Sequence, residues 1–180
     1  CDRYQSSRHA MTYSIYMLPE GLMTITGTNG GMGLDGQNQG TGVHLSPTAS
    51  GPGATIRLNA NAWQEIEIND GTNTAFEDND TSQTLINSEV VETSPGVFET
   101  FTAGTSVEAE YSIVVEDPNG IQYTLVAFNF RTGSPSYGTV EGLAFIGPPG
   151  GFPPIGVDLT VISNQEGPGF EASTYAEPIC

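Results

Sequence analysis

The sequence predicts an all-β fold: a single-domain antiparallel β-sandwich, jelly-roll-like, of about ten strands. Three observations predict it. Short segments alternate apolar and polar residues from Met11 onward; clusters of Gly, Asn, Asp, Ser and Pro separate them; and no stretch sustains the period of an amphipathic helix. Alternation of this kind places one set of side chains on a buried face and the other on a solvated face. The number and spacing of the segments favour a sandwich or jelly roll over a small closed barrel.

Residues 1–10 are polar and aperiodic, and are read as an extension preceding the fold. Residues 11–175 form the β-sandwich module, and residues 176–180 a junction. The candidate strands are Thr12–Leu18, Leu22–Thr26, Thr55–Asn59, Trp63–Ile68, Leu85–Glu92, Val97–Thr102, Val107–Glu116, Ile121–Phe130, Val140–Ile146 and Val157–Ser163. Thr28–Gly42 and Pro47–Ala54 read as Gly-rich loops, with Leu34 hinting at a short rung inside the first. Pro118-Asn119-Gly120 is the strongest turn signal, because Asn-Gly tolerates positive φ and Pro fixes the residue before it. Leu125-Val126-Ala127-Phe128 is a continuous apolar run, as expected of a strand covered on both faces. The core is expected from Ile15, Ile25, Ile56, Leu58, Trp63, Ile66, Ile68, Tyr111, Ile113, Val115, Tyr123, Leu125, Phe128, Phe130, Leu143, Phe145, Leu159 and Val161.

The 180 residues carry 21 acids against four arginines, Arg3, Arg8, Arg57 and Arg131, with no lysine, for a net charge of −17. Such a field repels nucleic acid and anionic membrane surfaces. It fits a salty extracellular medium, or cations that offset the repulsion. No apolar run reaches the ~18 residues of a membrane helix, so membrane insertion is not expected. Nor is there a basic region followed by an apolar one to mark a signal peptide; export is expected to use another route. The two cysteines, Cys1 and Cys180, stand at the ends, where a bridge between termini is one arrangement among several.

Asp70, Glu77, Asp78 and Asp80 concentrate hard oxygen ligands around a loop, the donor type calcium takes. The spacing does not continue into an EF-hand, and a solvated acidic turn reads the same way. Glu108 and Glu110 fall on one strand at even spacing, as a glycosidase pair would, or as acids on the wet face of a sheet. His9 and His44 have no cysteine or triad pattern beside them, which argues against transition-metal or nucleophilic chemistry. Tyr137 and Phe152 are the aromatics a surface-glycan site would use, with Trp63 as a third and Phe152 otherwise packed beneath its own Gly/Pro loop.

Several blocks together resemble the module upstream of Hint (Hedgehog/intein-type) domains in secreted bacterial proteins. They are Val107-Glu-Ala-Glu-Tyr, Tyr123-Thr-Leu-Val-Ala-Phe-Asn-Phe, the Ser134–Gly147 block, Gly150-Gly-Phe-Pro-Pro-Ile-Gly and Gln165-Glu-Gly-Pro. The resemblance implies that Ala176-Glu-Pro-Ile-Cys180 is a processing junction, with Cys180 as the first Hint residue and all acid–base groups downstream. The chain itself is then not an enzyme. The expected function is a secreted, non-catalytic surface or matrix module, structural or adhesive, stabilised by Ca2+ as its cofactor and released or attached by a downstream Hint domain. The module is further expected to self-assemble through edge strands, with Thr12–Leu18 as a donated strand. A carbohydrate-binding module and, behind it, a glycan hydrolase are the competing classes.

Overall fold

The structure, a computed structural model, describes residues 11–27, 33–34, 53–71, 75–78, 80–131, 140–147, 151–166 and 170–171. Its strands are β1 (Met11–Pro19), β2 (Met23–Thr26), β3 (Thr55–Leu58), β4 (Gln64–Asp70), β5 (Ala75–Phe76), β6 (Thr84–Leu85), β7 (Glu89–Ser94), β8 (Val97–Phe101), β9 (Ser106–Glu116), β10 (Gln122–Arg131), β11 (Gly142–Gly147), β12 (Asp158–Glu166) and β13 (Phe170–Glu171). A 3₁₀ turn, Glu20–Leu22, links β1 to β2. The fold is all-β and antiparallel, as the alternation requires.

Nine strands make one sheet in the order β10-β11-β1-β4-β6-β9-β12-β3-β2, and β9 also pairs with β10. Strands β9, β10, β11, β1, β4 and β6 therefore close a ring, and β12-β3-β2 branches from it. Strand β9 permits the branch because it is long: Ser106 pairs with Thr84 of β6, while Tyr111–Glu116 pairs with β12 along the same edge. The all-β expectation holds, but the form is barrel-like where a sandwich was favoured: six strands close a ring, and β12-β3-β2 lies over it as a second layer.

Two hydrophobic cores follow from this arrangement. One fills the ring with side chains from all six of its strands, among them Tyr13, Ile15, Ile66, Leu85, Val107, Phe128 and Ala144. The other lies between the ring wall and β12-β3-β2, and includes Ile56, Tyr111, Leu125, Leu143 and Leu159. Strand β10 serves both, sending Tyr123, Leu125 and Ala127 one way and Val126, Phe128 and Phe130 the other. That double burial is what its apolar run anticipates. Of the expected core, only Ile25 and Trp63 are partly buried, both packed against the second core. Leu34 is fully buried there too; its N–H donates to Glu20 Oε1 (3.0 Å) and its carbonyl accepts from Tyr111 Oη (2.8 Å).

One strand expectation changes. Leu85–Glu92 is not one strand: Ile86, Asn87 and Ser88 bend the chain, leaving Leu85 in the main sheet and starting β7 in a separate hairpin with β8. Asn87 Nδ2 fixes the bend on Glu67 Oε2 (2.8 Å), and Ile86 N–H donates to the Glu67 carbonyl (3.1 Å). The Thr12–Leu18 segment lies in β1, which pairs within its own chain with β4 over Met11–Met17 and with β11 over Tyr16–Pro19.

The hairpin between β9 and β10 turns where expected, with Gly120 at φ 81°. Asp117 organises it, accepting from the N–H groups of Asn119 (2.8 Å) and Ile121 (3.0 Å) and from the Tyr123 hydroxyl (3.0 Å). Burial alone pushes the Asp117 carboxyl up, but the hydrogen bonds from Ile121, Tyr123 and Asn119 together outweigh it and hold the group below the usual carboxylate range. Burial, then the hydrogen bond and charge of Asp117, raise the Tyr123 phenol. A depressed carboxylate stabilises the fold above its unfolded value, about pH 3.9, and loses that contribution as pH falls through the folded one. Urea unfolding between pH 2 and 6 is expected to show a shallower acid-side loss of stability for Asp117→Asn than for the wild type; parallel acid limbs would remove Asp117 from the account.

Candidate metal centre

Among the described residues one group of three carboxylates converges: Asp78, Glu108 and Glu110, with oxygens all within 4.8 Å of one another. Sequence separation keeps them apart, and two local features mark the place where they meet.

The first is Gln83, fully buried between β5 and β9. Its Oε1 accepts from the Glu77 N–H (2.6 Å), and its Nε2 donates to the carbonyls of Glu77 and Val107 (both 3.0 Å). The Val107 N–H returns a bond to the Gln83 carbonyl (3.0 Å), and the Ala109 N–H donates to the Glu77 carbonyl (3.2 Å). These bonds stitch the 77–83 turn along the start of β9 and set Asp78 beside the strand. A buried primary amide satisfied at three points is a stiff support, because each lost bond would leave a desolvated polar group.

The second is a bulge. Phe128 opposes Ala109 and Ala127 opposes Tyr111, so Glu110 is the extra residue in β9. Alternation before the bulge puts Val107 and Ala109 in the ring core and Glu108 on the opposite face. Glu110, the unpaired residue at the bulge, has a carboxylate oxygen within 4.8 Å of those of Glu108 and Asp78, on the side its even spacing from Glu108 anticipates. Asn129, opposite Glu108 on β10, donates from Nδ2 to Glu110 Oε1 and more weakly to Glu108 Oε1 (3.5 Å). Glu108 and Asn129 are both buried.

The donor set fits a hard divalent cation. Calcium binds oxygen at about 2.3–2.6 Å, so ligands on opposite sides of one ion lie roughly 4.6–5.2 Å apart, and closer ligands less. Three carboxylates within 4.8 Å of one another can share one such sphere. Magnesium needs the same donor chemistry at shorter distances with a stricter geometry.

The expected set, Asp70, Glu77, Asp78 and Asp80, does not converge; Asp78 alone of the four enters the cluster. Asp70 is fully buried at the end of β4 and accepts from the Tyr13 hydroxyl (3.2 Å). Asp80 Oδ1 closes its own turn, accepting from the Ser82 N–H (2.8 Å) and Oγ (2.6 Å). Glu77 contributes backbone groups to Gln83. Glu108 and Glu110, considered as a catalytic pair or as a wet face, are instead the partners of Asp78. Sequence reasoning passed over Gln83 and Asn129; a polar residue between two phenylalanines on a central strand was the one available signal for the latter.

Phe152 is 40% exposed and belongs to an aromatic cluster. Its ring stacks on Trp63 (5.2 Å, 21°), tilts against Phe145 (4.8 Å, 44°) and meets the edge of Tyr16 (5.6 Å, 78°). One face of the expected sugar platform is thus spent on the protein itself. Tyr137, His9, His44, Cys1 and the junction at Cys180 lie outside the described residues. Among the described residues no helix is long and apolar enough to cross a membrane. No protein-family model, curated protein or solved structure matches the chain.

Proposed function

We propose that this chain is a non-catalytic, extracellular structural or adhesive module whose acidic turn is held to its sheet by a divalent cation, calcium before magnesium. The observation that carries the reading is the convergence of Asp78, Glu108 and Glu110 at the spacing of one coordination sphere. The net charge of −17 supports it, because bound cations reduce the self-repulsion of so acidic a chain. Burial of Glu108 and its contact with Asn129 favour a structural site over a hydrolase, whose carboxylates must flank a sugar in an open cleft. Glycan binding has less support, since Phe152 is committed to Trp63. Attachment or release by a Hint domain remains part of the proposal on the sequence resemblance at Ala176–Cys180 alone, and secretion rests on the same ground.

Thermal melts in calcium and in chelator test the cation. Free ligand at a hundredfold excess over Kd stabilises the native state by about 2.7 kcal/mol, roughly 5–10 °C for a domain of this size. Glu108→Gln and Asp78→Asn are each expected to lose most of that increment while keeping the fold. Identical wild-type melting temperatures in the two buffers would remove the ion from the function.

A further inference from the structure

The hairpin of β7 and β8 forms a two-stranded sheet of its own. One side of it is anchored. Val91 and Phe101 are buried in the ring core, and the Phe101 ring stacks on Phe130 at 4.1 Å. Along β7, Gln64 Nε2 donates to the Val90 carbonyl (3.2 Å) and to Glu89 Oε2 (3.3 Å), while Gly21 packs on the Thr93 and Ser94 backbone. The other side is open: among the described residues no strand pairs with the far edge of β8, and Val97, Phe98, Glu99 and Thr100 are all exposed.

An open edge of this composition is unusual. Proteins normally blunt edge strands with lysine, proline, a bulge or a cover. On β8 the one guarding charge is Glu99; there is no lysine, Pro95 sits in the turn, and the irregularity falls on β7, between Glu92 and Ser94. Val97 is 54% exposed and Phe98 64%, beside Val90 at 58%. Every charge on the hairpin is negative: Glu89, Glu92 and Glu99.

We infer that the free edge of β8 receives an extended, basic segment of a partner protein as an added antiparallel strand. Alternation along β8 specifies the segment. Phe98 and Thr100 lie on one face, with Glu92 directly opposite Phe98, and Val97 and Glu99 lie on the other. A strand with aromatic or branched residues on the Phe98 face and lysine or arginine on the Glu99 face matches both. Main-chain bonds supply affinity in such additions, and the alternate side chains supply selectivity. The anchored hairpin is already in the receiving conformation, which lowers the ordering cost of association. A second copy of this chain is a poorer occupant: pairing β8 with itself opposes two strands whose one charge is Glu99, on partners of −17 each. The inference is independent of the cation proposal.

The test uses a synthetic peptide of alternating lysine with valine or phenylalanine, a counterpart with glutamate for lysine, and the full chain. The lysine peptide is expected to bind and to slow amide hydrogen exchange along β8, and the glutamate peptide to do neither. Glu99→Lys and Phe98→Ser should each weaken binding about tenfold, because both side chains are exposed and neither holds the fold. Glu116→Lys, remote from the hairpin, should weaken it far less. Equal losses at Glu116 and Glu99, or binding without protection of β8, would reduce the effect to general attraction to an acidic protein and overturn the inference. Protection of β8 by concentration-dependent dimerisation, without peptide, would overturn it in favour of a second copy.

Discussion

Gly142→Val is expected to prevent stable folding, and Gly142→Ala to lower stability by at least about 3 kcal/mol, with urea unfolding as the measurement. Gly142 opens β11 at the point where three strands meet, opposite Pro19 of β1 and Phe128 of β10. A Cβ there falls on the Leu18 carbonyl oxygen, 3.0 Å from the Leu18 carbonyl carbon and 2.8 Å from the Pro19 Cα. These are backbone atoms of β1, which pairs with β11 at this point, so no rotamer change relieves the overlap. The neighbouring bonds, Glu20 N–H to the Glu141 carbonyl (2.9 Å) and Glu141 N–H to the Phe128 carbonyl (2.8 Å), hold the strands at that separation. Gly120 is the control: its φ of 81° disfavours alanine, but nothing lies within 4 Å of the added Cβ, so Gly120→Ala should cost only about 1–2 kcal/mol. Comparable losses at the two positions would mean that conformation, not close approach, explains both.

Phe128→Ala should cost about 3–5 kcal/mol, by the removal of a fully buried ring from the closed ring of strands. Phe128 meets Phe130 edge-on at 5.5 Å, and Phe130 in turn stacks on Phe101. The cavity would therefore sit beneath the anchor of the β7–β8 hairpin. It would also adjoin the bulge at Glu110, since Phe128 opposes Ala109. A reduced calcium increment in the melts is expected to accompany the loss. Phe128→Leu should recover most of the stability by refilling the volume, at a residual cost under about 1.5 kcal/mol. If truncation to alanine cost less than about 1 kcal/mol, the interior of the ring would not be the packed core described above.

Much of the fold was legible because its signals are local. Alternation in Tyr111–Val115 specifies a buried face, the apolar run Leu125–Phe128 marks a strand buried on both, and Asn119-Gly120 supplies the turn that joins the two strands. Leu85–Glu92 misled, because apolar pairs at Leu85-Ile86 and Val90-Val91 flank the bend at Ile86 and Asn87, and both halves are extended. Tyr13, Met17 and Phe76 also belong to the ring core, although they were not among the residues expected there.

The candidate site was half legible. Richness in acids between Asp70 and Asp80 is visible in the sequence, and so is the pair at Glu108 and Glu110. Which of them meet is not, because Asp78 is set beside the pair by Gln83 and Glu77 binding across to β9, residues remote from it in sequence.

The sequence by itself determined the class of the protein: short antiparallel strands, a core drawn from alternating positions, a strongly acidic surface. Each of these depends on residues a few positions apart or on a sum over the whole chain. Only the tertiary structure decided that β9 pairs with β10, β6 and β12 at once, that the sheet closes, that Asp78 joins Glu108 and Glu110, and that no strand among the described residues pairs with the far edge of β8. Those outcomes depend on contacts between residues remote in sequence, where the cost of closing the intervening loops is offset only when the whole set of pairings forms together.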